Sequence, residues 1–347
     1  IANLVSAAIT TINVTGDAKV TFTDYDPATI TSINVTNTGG AAFATSTLAA
    51  ATAFTGGAGA DAIIAGATTK AITMGAGDDT VTYTTTVGTG GSVNGGDGTD
   101  TLTMNAAALS TQFAQTSNIE NVVINNSTAA VGIDASKLSA GVDMLTLDLT
   151  DGTDATPGKI ASTVTKADGL LINLVKTVED ATDTNDSDGT KLTITNTTDT
   201  TDDTVNIRLT NIGVDDQTAD FFGIDEIDVS TYETVNITAN TNATGTASAN
   251  EIEALTATVA TSINVSGTGA LETVLTGTKV TSFDASELAG ALTLTAGSEK
   301  ATYSMGGKSS TIAFGGNLNA SDTVIGGAGA ADIVTATVSG LSASTGA

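Results

Sequence analysis

The feature that most constrains this chain is a nonapeptide rich in glycine and aspartate that recurs in its first third. The pattern is G-G-x-G-x-D-x-U-x, where U is apolar. Residues 56–64 and 95–103 match every fixed position, and residues 74–82 lack only the first glycine. The intervening nonapeptide, 65–73, is degenerate. A nonapeptide period of this kind is typical of stacked repeats in which neighbouring units share one core.

The spacing of the aspartates predicts how the repeats stack. Two nonapeptides make one coil with a turn on each side, and Asp61 and Asp79 stand two nonapeptides apart. We therefore expect them to stack on one side. Glycine permits positive φ and close approach of carbonyls, and aspartate supplies the hard oxygen that Ca²⁺ prefers. The expected ligands of an ion between these turns are both carboxylates and the carbonyls of Gly57, Gly59, Gly75 and Gly77.

A third turn extends the predicted stack. Asp100 follows Asp79 by one coil plus a short insertion, which we place at 88–90. Asp100, together with Gly96 and Gly98, would close a second calcium site. Asp78 and Asp97 lie in the same turns and complete the candidate ligands of this segment. Stacked carboxylates repel each other without ions, so folding of this segment is expected to depend on calcium.

A second, less regular stack is predicted near the end of the chain. Glycine pairs occur at 306–307, 315–316 and 326–327. The last pair begins a further copy of the pattern, in which the aspartate stands one place late. The candidate ligands here are Asp322, Gly327, Gly329 and Asp332.

An acidic stretch at 180–189 resembles part of an EF-hand loop but lacks the closing glutamate. A solvated loop is therefore the default interpretation, and an irregular calcium site is the alternative.

The rest of the chain reads as short strands. The phrase Ile-Asn-Val occurs at 12–14, 33–35 and 263–265, and alternation predicts that its apolar residues face inward. The phrases at 133–136, 227–230 and 283–286 each place an aspartate before a new strand, where we expect it to hold backbone N–H groups of a turn. The predicted fold is all-β, an elongated β-solenoid or β-roll with calcium-binding turns and stacked short strands.

Composition excludes several classes of function. The net charge is −27, which argues against nucleic acid as a partner because phosphate binding needs basic patches. The chain has no histidine and no tryptophan, which removes imidazole catalysis and stacking platforms for sugars or bases. It also has no cysteine, so disulfides cannot stabilise it outside the cell and calcium is the expected substitute. No apolar run is long enough for a transmembrane helix.

The glycine-rich copies resemble the RTX (repeats-in-toxin) calcium-binding repeats. The run from Phe54 to Asp100 also resembles the RTX region of Caulobacter-type bacterial S-layer proteins, and similar segments occur at 12–24 and 280–288. The resemblance implies an extracellular surface coat, exported by type I secretion and held together by many calcium ions. It further implies anchoring to lipopolysaccharide and an export signal, neither of which is identifiable here. We expect this chain to be the lattice-forming part of a longer protein.

These observations predict four segments and leave two functions open. The segments are strand repeats at 1–55, a calcium-binding roll at 56–104, threonine-rich strands at 105–295 and a degenerate roll at 296–347. The leading hypothesis is a non-enzymatic component of an S-layer that assembles with copies of itself. The alternative is a secreted RTX adhesin that binds a surface or ligand through a threonine-rich face. A hydrolase or lyase that uses only carboxylates is disfavoured, since no aspartate pair stands apart from turns.

Overall fold

The structure is a computed structural model whose secondary structure consists almost entirely of short strands. It divides into two compact units, residues 1–127 with 133–148 and residues 128–132 with 149–347. The described residues are 8–23, 25, 27–84, 88–105, 113–125, 132–148, 162–175, 191–196, 198, 200–210, 212, 224–241, 249–329 and 331–337.

Fourteen short strands and three single-turn 3₁₀ helices lie within the described residues up to Asp148. The strands are β1 (Thr11–Val14), β2 (Val20–Thr21), β3 (Ser32–Val35), β4 (Ala41–Leu48), β5 (Ala53–Thr55), β6 (Ala62–Ala65), β7 (Ala71–Ala76), β8 (Thr80–Tyr83), β9 (Ser92–Asp97), β10 (Thr101–Asn105), β11 (Thr116–Ser117), β12 (Asn121–Asn125), β13 (Gly132–Asp134) and β14 (Met144–Asp148). The 3₁₀ helices are Pro27–Thr29, Phe113–Gln115 and Ala135–Lys137. Thirteen of the strands belong to the first unit, and β13 spans the boundary between the two units.

Strands of the first unit pair with the strand two places along the chain. One sheet has the order β1-β3-β5-β7-β9-β11, and the other runs β2-β4-β6-β8-β10-β12-β14. All these pairs are parallel. The chain therefore alternates between two sheets and advances one strand position in each with every coil, which defines a β-solenoid. Ile63 lies beside Val81, so the predicted coil of two nonapeptides is confirmed at this point.

Alternation places apolar side chains between the two sheets. Ile12 and Val14 are buried while the residues between and beside them are exposed, as predicted. Larger side chains fill the space further along the unit. Phe43 is fully buried, with its ring centroid 4.2 Å from that of Phe22 in a stacked arrangement and 6.2 Å from that of Phe54 edge-on. Aromatic contacts of this kind add to the burial of apolar area that stabilises the stack.

The second unit repeats the same architecture. Its strands are β15 (Ser162–Thr165), β16 (Leu171–Val175), β17 (Lys191–Thr195), β18 (Thr204–Thr210), β19 (Ile224–Asp228), β20 (Thr234–Asn240), β21 (Ala249–Thr256), β22 (Ser262–Gly267), β23 (Ala270–Thr276), β24 (Ser282–Leu288), β25 (Leu292–Thr295), β26 (Thr302–Ser304), β27 (Thr311–Ala313), β28 (Thr323–Ile325) and β29 (Ile333–Thr335). Even-numbered strands from β16 to β28 form one parallel sheet and odd-numbered strands from β15 to β29 form the other.

The outward-facing asparagines of the second unit form a hydrogen-bonded row. The side-chain amide of Asn236 donates to Asn206 Oδ1 at 2.9 Å, and that of Asn264 donates to Asn236 Oδ1 at 2.8 Å. These residues occupy one register position on β18, β20 and β22. Identical amides one strand apart form such ladders because each donates to the next along the stack.

The local hydrogen bonds predicted for the aspartates before new strands are present at all three positions, but Asp284 lies inside β24, where the pairing with β22 shifts register, and not in a turn before a new strand. The Oδ1 atoms of Asp134, Asp228 and Asp284 accept the backbone N–H two residues later, at 3.1, 3.1 and 3.0 Å. The same oxygen of Asp134 and Asp228 also accepts the serine hydroxyl, at 2.6 Å in both turns. These aspartates therefore have a local role in chain direction, the modest interpretation that the sequence favoured.

The predicted all-β fold built of stacked parallel coils is thus confirmed in each unit. The finer division into four segments follows sequence patterns and stays a prediction. Within the described residues, no helix has the length and apolar character needed to cross a membrane.

The packing around Phe43 makes a stability prediction. Replacing Phe43 by alanine should lower the free energy of unfolding by about 3–5 kcal/mol, because it leaves a cavity among three aromatic rings. Thr11→Ala, at an exposed position on β1, should change it by less than about 0.5 kcal/mol. Urea unfolding followed by circular dichroism measures both. Equal effects of the two substitutions would contradict the assignment of Phe43 to the core.

Candidate metal centre

The three glycine-aspartate turns of the first unit lie on one side of the solenoid. Each connects a strand of the first sheet to one of the second: residues 56–61 join β5 to β6, 77–79 join β7 to β8, and 98–100 join β9 to β10. The stacking predicted for Asp61 and Asp79 on one side is therefore correct. The extra residues of the next coil fall between Tyr83 and Ser92, an interval that includes the predicted insertion at 88–90.

The aspartates of these turns are connected by hydrogen bonds from coil to coil. The backbone N–H of Asp61 donates to Asp79 Oδ1 at 2.7 Å, and the N–H of Asp79 donates to Asp100 Oδ1 at 2.9 Å. The series begins at Ala41, whose N–H donates to Asp61 Oδ1 at 2.6 Å. It continues at Glu120, whose Oε2 accepts the N–H of Asp100 at 2.7 Å. We call Asp61, Asp79, Asp100 and Glu120 the carboxylate ladder.

The three aspartates of the ladder are buried, and two of them retain an oxygen with no partner. Their exposed fractions are 2%, 1% and 1% in chain order. The second oxygen of Asp61 accepts the N–H of Gly57 at 3.1 Å. The Oδ2 atoms of Asp79 and Asp100 are buried and accept no hydrogen bond from any described residue. Buried carboxylate oxygens without donors are costly, and an oxygen-binding cation would satisfy them.

The electrostatics of the ladder favour neutral carboxyl groups when no cation is bound. Burial raises the pKa of Asp79 to about 7, and the negative charges of Asp100 and Asp61 add to the rise. Burial also raises the pKa of Asp61 and of Asp100 above their ordinary values. Each of these carboxylates also accepts hydrogen bonds from backbone N–H groups, which lower its pKa. This lowering offsets the rise caused by burial only in part.

Glycine is required in these turns because successive coils come very close. Gly75 and Gly96 occupy matching register positions with φ of +108° and +114°. A Cβ on Gly96 would lie 1.9 Å from the carbonyl oxygen of Gly75, and a Cβ on Gly75 would lie 2.2 Å from that of Gly57. Neither contact is possible for a residue with a side chain. The Gly57 carbonyl also accepts the N–H of Ala76 at 2.7 Å, which leaves one lone pair for a cation.

The remaining candidate residues of the first unit line the outside of the turns. Asp78 is exposed and its Oδ1 accepts the N–H of Thr99 at 2.9 Å, while Asp97 is exposed at the end of β9. The N–H of Gly77 donates to the Asp97 carbonyl at 2.8 Å. Gly59 and Gly98 lie in the same turns, Gly59 packed against the 38–40 turn and Gly98 against Gly77. The structure thus separates buried ladder carboxylates from two exposed ones that sequence reasoning had grouped with them.

The candidate residues of the second unit occupy two different turns. Asp322 precedes β28, and its Oδ1 and Oδ2 accept the N–H groups of Ala301 at 3.2 Å and Asn319 at 2.8 Å. Asp332 precedes β29, in the other sheet, and accepts the N–H groups of Ser310 at 3.0 Å and Gly327 at 2.9 Å.

The late placement of Asp332 does not alter its contacts. Its bond from Gly327 corresponds to the bond that Asp61 accepts from Gly57, so one extra residue is absorbed by the turn. Asp332 is only half-buried, unlike Asp61. Gly327 and Gly329 pack against the backbone of the preceding coil, at Gly306 and Lys308. The acidic stretch at 180–189 lies outside the described residues.

The residues of the ladder fit a calcium ion by their chemistry. Within the described parts of the chain, no three acidic side chains converge on one point. A bound ion would therefore take one or two carboxylate oxygens from the ladder and its other ligands from turn carbonyls, such as those of Gly57, Gly59, Gly75, Gly77, Gly96 and Gly98. This mixed set of hard oxygens is of the kind that Ca²⁺ accepts.

Sequence reasoning missed two acidic residues of these turns. Glu120 continues the ladder one coil beyond Asp100, and its position one coil further on, directly before an apolar strand, is a signal that could have found it. Glu299 is buried in a turn of the second unit and has no repeat motif around it.

Comparison with known proteins gives no further guide. No model of a known protein family matches this chain, and a search of curated proteins finds no match either. Function is therefore inferred from the chemistry of the turns.

The raised pKa values predict how stability depends on pH in protein dialysed free of divalent cations. Because the pKa of Asp79 rises from 3.8 to about 7 on folding, the folded chain binds more protons than the unfolded chain between these values. Stability should therefore fall as pH rises through this window. Urea unfolding at pH 5 and pH 8 measures the difference.

Asp79→Asn is the matched variant for that experiment. It keeps an oxygen acceptor for Asp61 and removes the titrating group, so the fall in stability between pH 5 and pH 8 should be smaller. Repulsion from the overall charge of −27 is nearly the same in both proteins. An identical pH dependence in the two would contradict the raised pKa of Asp79.

Proposed function

We propose that this chain is the lattice-forming part of a secreted bacterial surface-layer protein whose coils bind several calcium ions. The observation that carries the proposal is the carboxylate ladder, in which buried acidic side chains stack coil upon coil and two oxygens have no partner. Calcium bound along the ladder would remove this uncompensated charge. The resemblance of residues 54–100 to RTX repeats of S-layer proteins supports the same assignment.

Calcium also supplies what assembly of this chain requires. Copies that each carry a net charge of −27 repel one another at the contact distances of a two-dimensional lattice. Ions in the turns reduce that charge and make the coils rigid, and both effects favour regular contacts between copies. Export by type I secretion, location on the cell surface and attachment to lipopolysaccharide through a region outside this chain belong to the same proposal.

The second candidate function is a secreted RTX adhesin. The observation that favours it is the polar outer face of β18, β20 and β22, where the asparagine row lies between two further polar rows. These rows are Thr204, Thr234 and Ser262 on one side and Arg208, Thr238 and Ser266 on the other. Thr238 and Ser266 hydroxyls on this face lie 3.4 Å apart. A flat, regular face of hydroxyls and amides is suited to binding a polar ligand surface. In this alternative, calcium stabilises the fold and the face contacts the ligand.

The central experiment is a calcium titration of ion-free protein, with circular dichroism and particle size followed together. We expect ordered large assemblies to appear at about 10⁻⁴–10⁻³ M calcium, the range of weak extracellular sites. Asp79→Asn should shift the midpoint to at least tenfold higher calcium or abolish assembly. Asp17→Asn carries the same charge change at an exposed position outside the ladder and should assemble like the wild type.

The stability of Asp79→Asn relative to the wild type, with and without calcium, is a second measurement in that experiment. Without ions at pH 8, Asp79→Asn should be at least as stable as the wild type because it removes a buried unpaired charge. With calcium the order should reverse. A protein that folds and binds calcium but stays monomeric would favour the adhesin, whereas absence of any response to calcium would refute both functions.

A further inference from the structure

A buried glutamate in the second unit lacks a counter-charge. Glu299 lies in the turn between β25 and β26 and is 4% exposed. Both of its carboxylate oxygens are buried and neither accepts a hydrogen bond of normal geometry from a described residue. The turn is not part of a glycine-aspartate nonapeptide, and the position differs from that of the aspartates in the ladder, which directly precede a strand.

The surrounding backbone leaves space for this carboxylate and fixes the turn that carries it. Gly297 gives it room, since a Cβ on Gly297 would lie 2.4 and 2.3 Å from its two oxygens. The next coil fixes the turn, because the side-chain amide of Asn319 donates to the Glu299 carbonyl at 3.2 Å. The neighbouring Lys300 is exposed. Within the part of the chain that the structure describes, no lysine or arginine forms an ion pair with Glu299.

A second unpartnered oxygen belongs to β26, the strand that follows this turn. The side chain of Tyr303 is fully buried, and its hydroxyl makes no hydrogen bond to a described residue. Its ring is fixed edge-on against Phe314, with the centroids 5.2 Å apart. Burial raises the pKa of Tyr303, and the charges of Glu299 and Asp322 add to the rise. Asp322 also contacts this segment directly, since its Oδ1 accepts the N–H of Ala301 at 3.2 Å.

The carboxylate oxygens of Glu299 and the Tyr303 hydroxyl share one property: no described residue makes a hydrogen bond of normal geometry to them. A buried, unpaired carboxylate costs several kcal/mol. Burial raises the pKa of Glu299, and the nearby backbone N–H groups of Glu299 and Ser298 offset the rise only in part. A proton on Glu299 would supply one donor and leave its other oxygen unsatisfied. A cation would satisfy both carboxylate oxygens at once, and Asp322 adds a second negative charge that favours a cation further.

We propose that Glu299, with the Tyr303 hydroxyl and the charge of Asp322, forms an internal site for a hard, oxygen-binding cation of the calcium class. The site is separate from the carboxylate ladder, which lies in the other unit. Carbonyls of the turn or water would complete the coordination shell. The ion would cancel the only charge in this turn that is both buried and unpaired among the described residues.

Counting bound ions tests the site directly. Equilibrium dialysis of the whole chain against calcium, followed by metal analysis, should show one ion per chain fewer for Glu299→Gln than for the wild type. Glutamine keeps the shape of the side chain and removes its charge. Glu287→Gln makes the same change at an exposed position of β24 and should bind as many ions as the wild type.

Terbium luminescence tests whether Tyr303 lies beside the bound ion. Tb³⁺ substitutes for calcium and emits when a neighbouring aromatic side chain is excited, and this chain has four tyrosines and no tryptophan. Tyr303→Phe should remove the emission that Glu299→Gln also removes. Tyr232→Phe, at another buried tyrosine of the same unit, should leave that emission in place.

The outcomes separate this site from the proposed function. An unchanged ion count and unchanged tyrosine-excited emission in Glu299→Gln would overturn the site, even if Asp79→Asn loses ions. Should Glu299→Gln fail to fold, Tyr303→Phe is the deciding variant, because it keeps the carboxylate. Loss of the emission in Tyr303→Phe would support the site, and unchanged emission would overturn it. Loss of one ion in Glu299→Gln while Asp79→Asn loses none would support this site and contradict the role of the ladder.

Discussion

The interaction on which the first unit depends is the hydrogen bond from the backbone N–H of one turn to the carboxylate of the next coil. In stacked parallel coils every turn leaves N–H groups that need an acceptor, because they are buried away from water. At Asp61 and Asp79 the acceptor is an acidic side chain one coil further on. This solution satisfies the backbone but places like charges at the spacing of neighbouring strands, about 4.8 Å. The same residues that direct the fold therefore oppose it until their charge is neutralised.

Glycine makes the arrangement geometrically possible and also limits how it can vary. The turns approach so closely that Gly75 and Gly96 admit no side chain. A Cβ on Gly56 would likewise lie 1.6 Å from the Met74 carbonyl oxygen and 2.6 Å from Asp61 Oδ2, so carbonyl and carboxylate oxygens approach each other in these turns. Calcium accepts such mixed oxygen sets. A small cation is therefore the counter-charge that we propose for these turns, on grounds of packing as well as of electrostatics.

Much of this was predictable from sequence because the repeat fixes both period and side. The separation by two nonapeptides predicted the neighbours Asp61 and Asp79, and alternation predicted the buried face of β1. Other contacts were not predictable from the motif. Asp332 reaches the equivalent position although it stands one residue late, because the turn absorbs the extra residue. Glu299 carries no motif, and its importance arises from burial and from missing partners, which only the packed coils define.

If calcium binds the ladder as proposed, the connected hydrogen bonds have a physical consequence for how successive ions bind. Each ladder aspartate both donates its N–H to the next carboxylate and accepts an N–H from the previous coil, so a shift of one turn displaces two neighbours. An ion that orders the Asp79 turn also orders the acceptor of Asp61 and the donor to Asp100. Part of the ordering needed at the adjacent turns is then already complete, so a second ion binds with less loss of conformational entropy. Successive calcium ions are therefore expected to bind the ladder with positive cooperativity. The cation proposed at Glu299, which shares no hydrogen bond with the ladder among the described residues, is expected to bind independently of them.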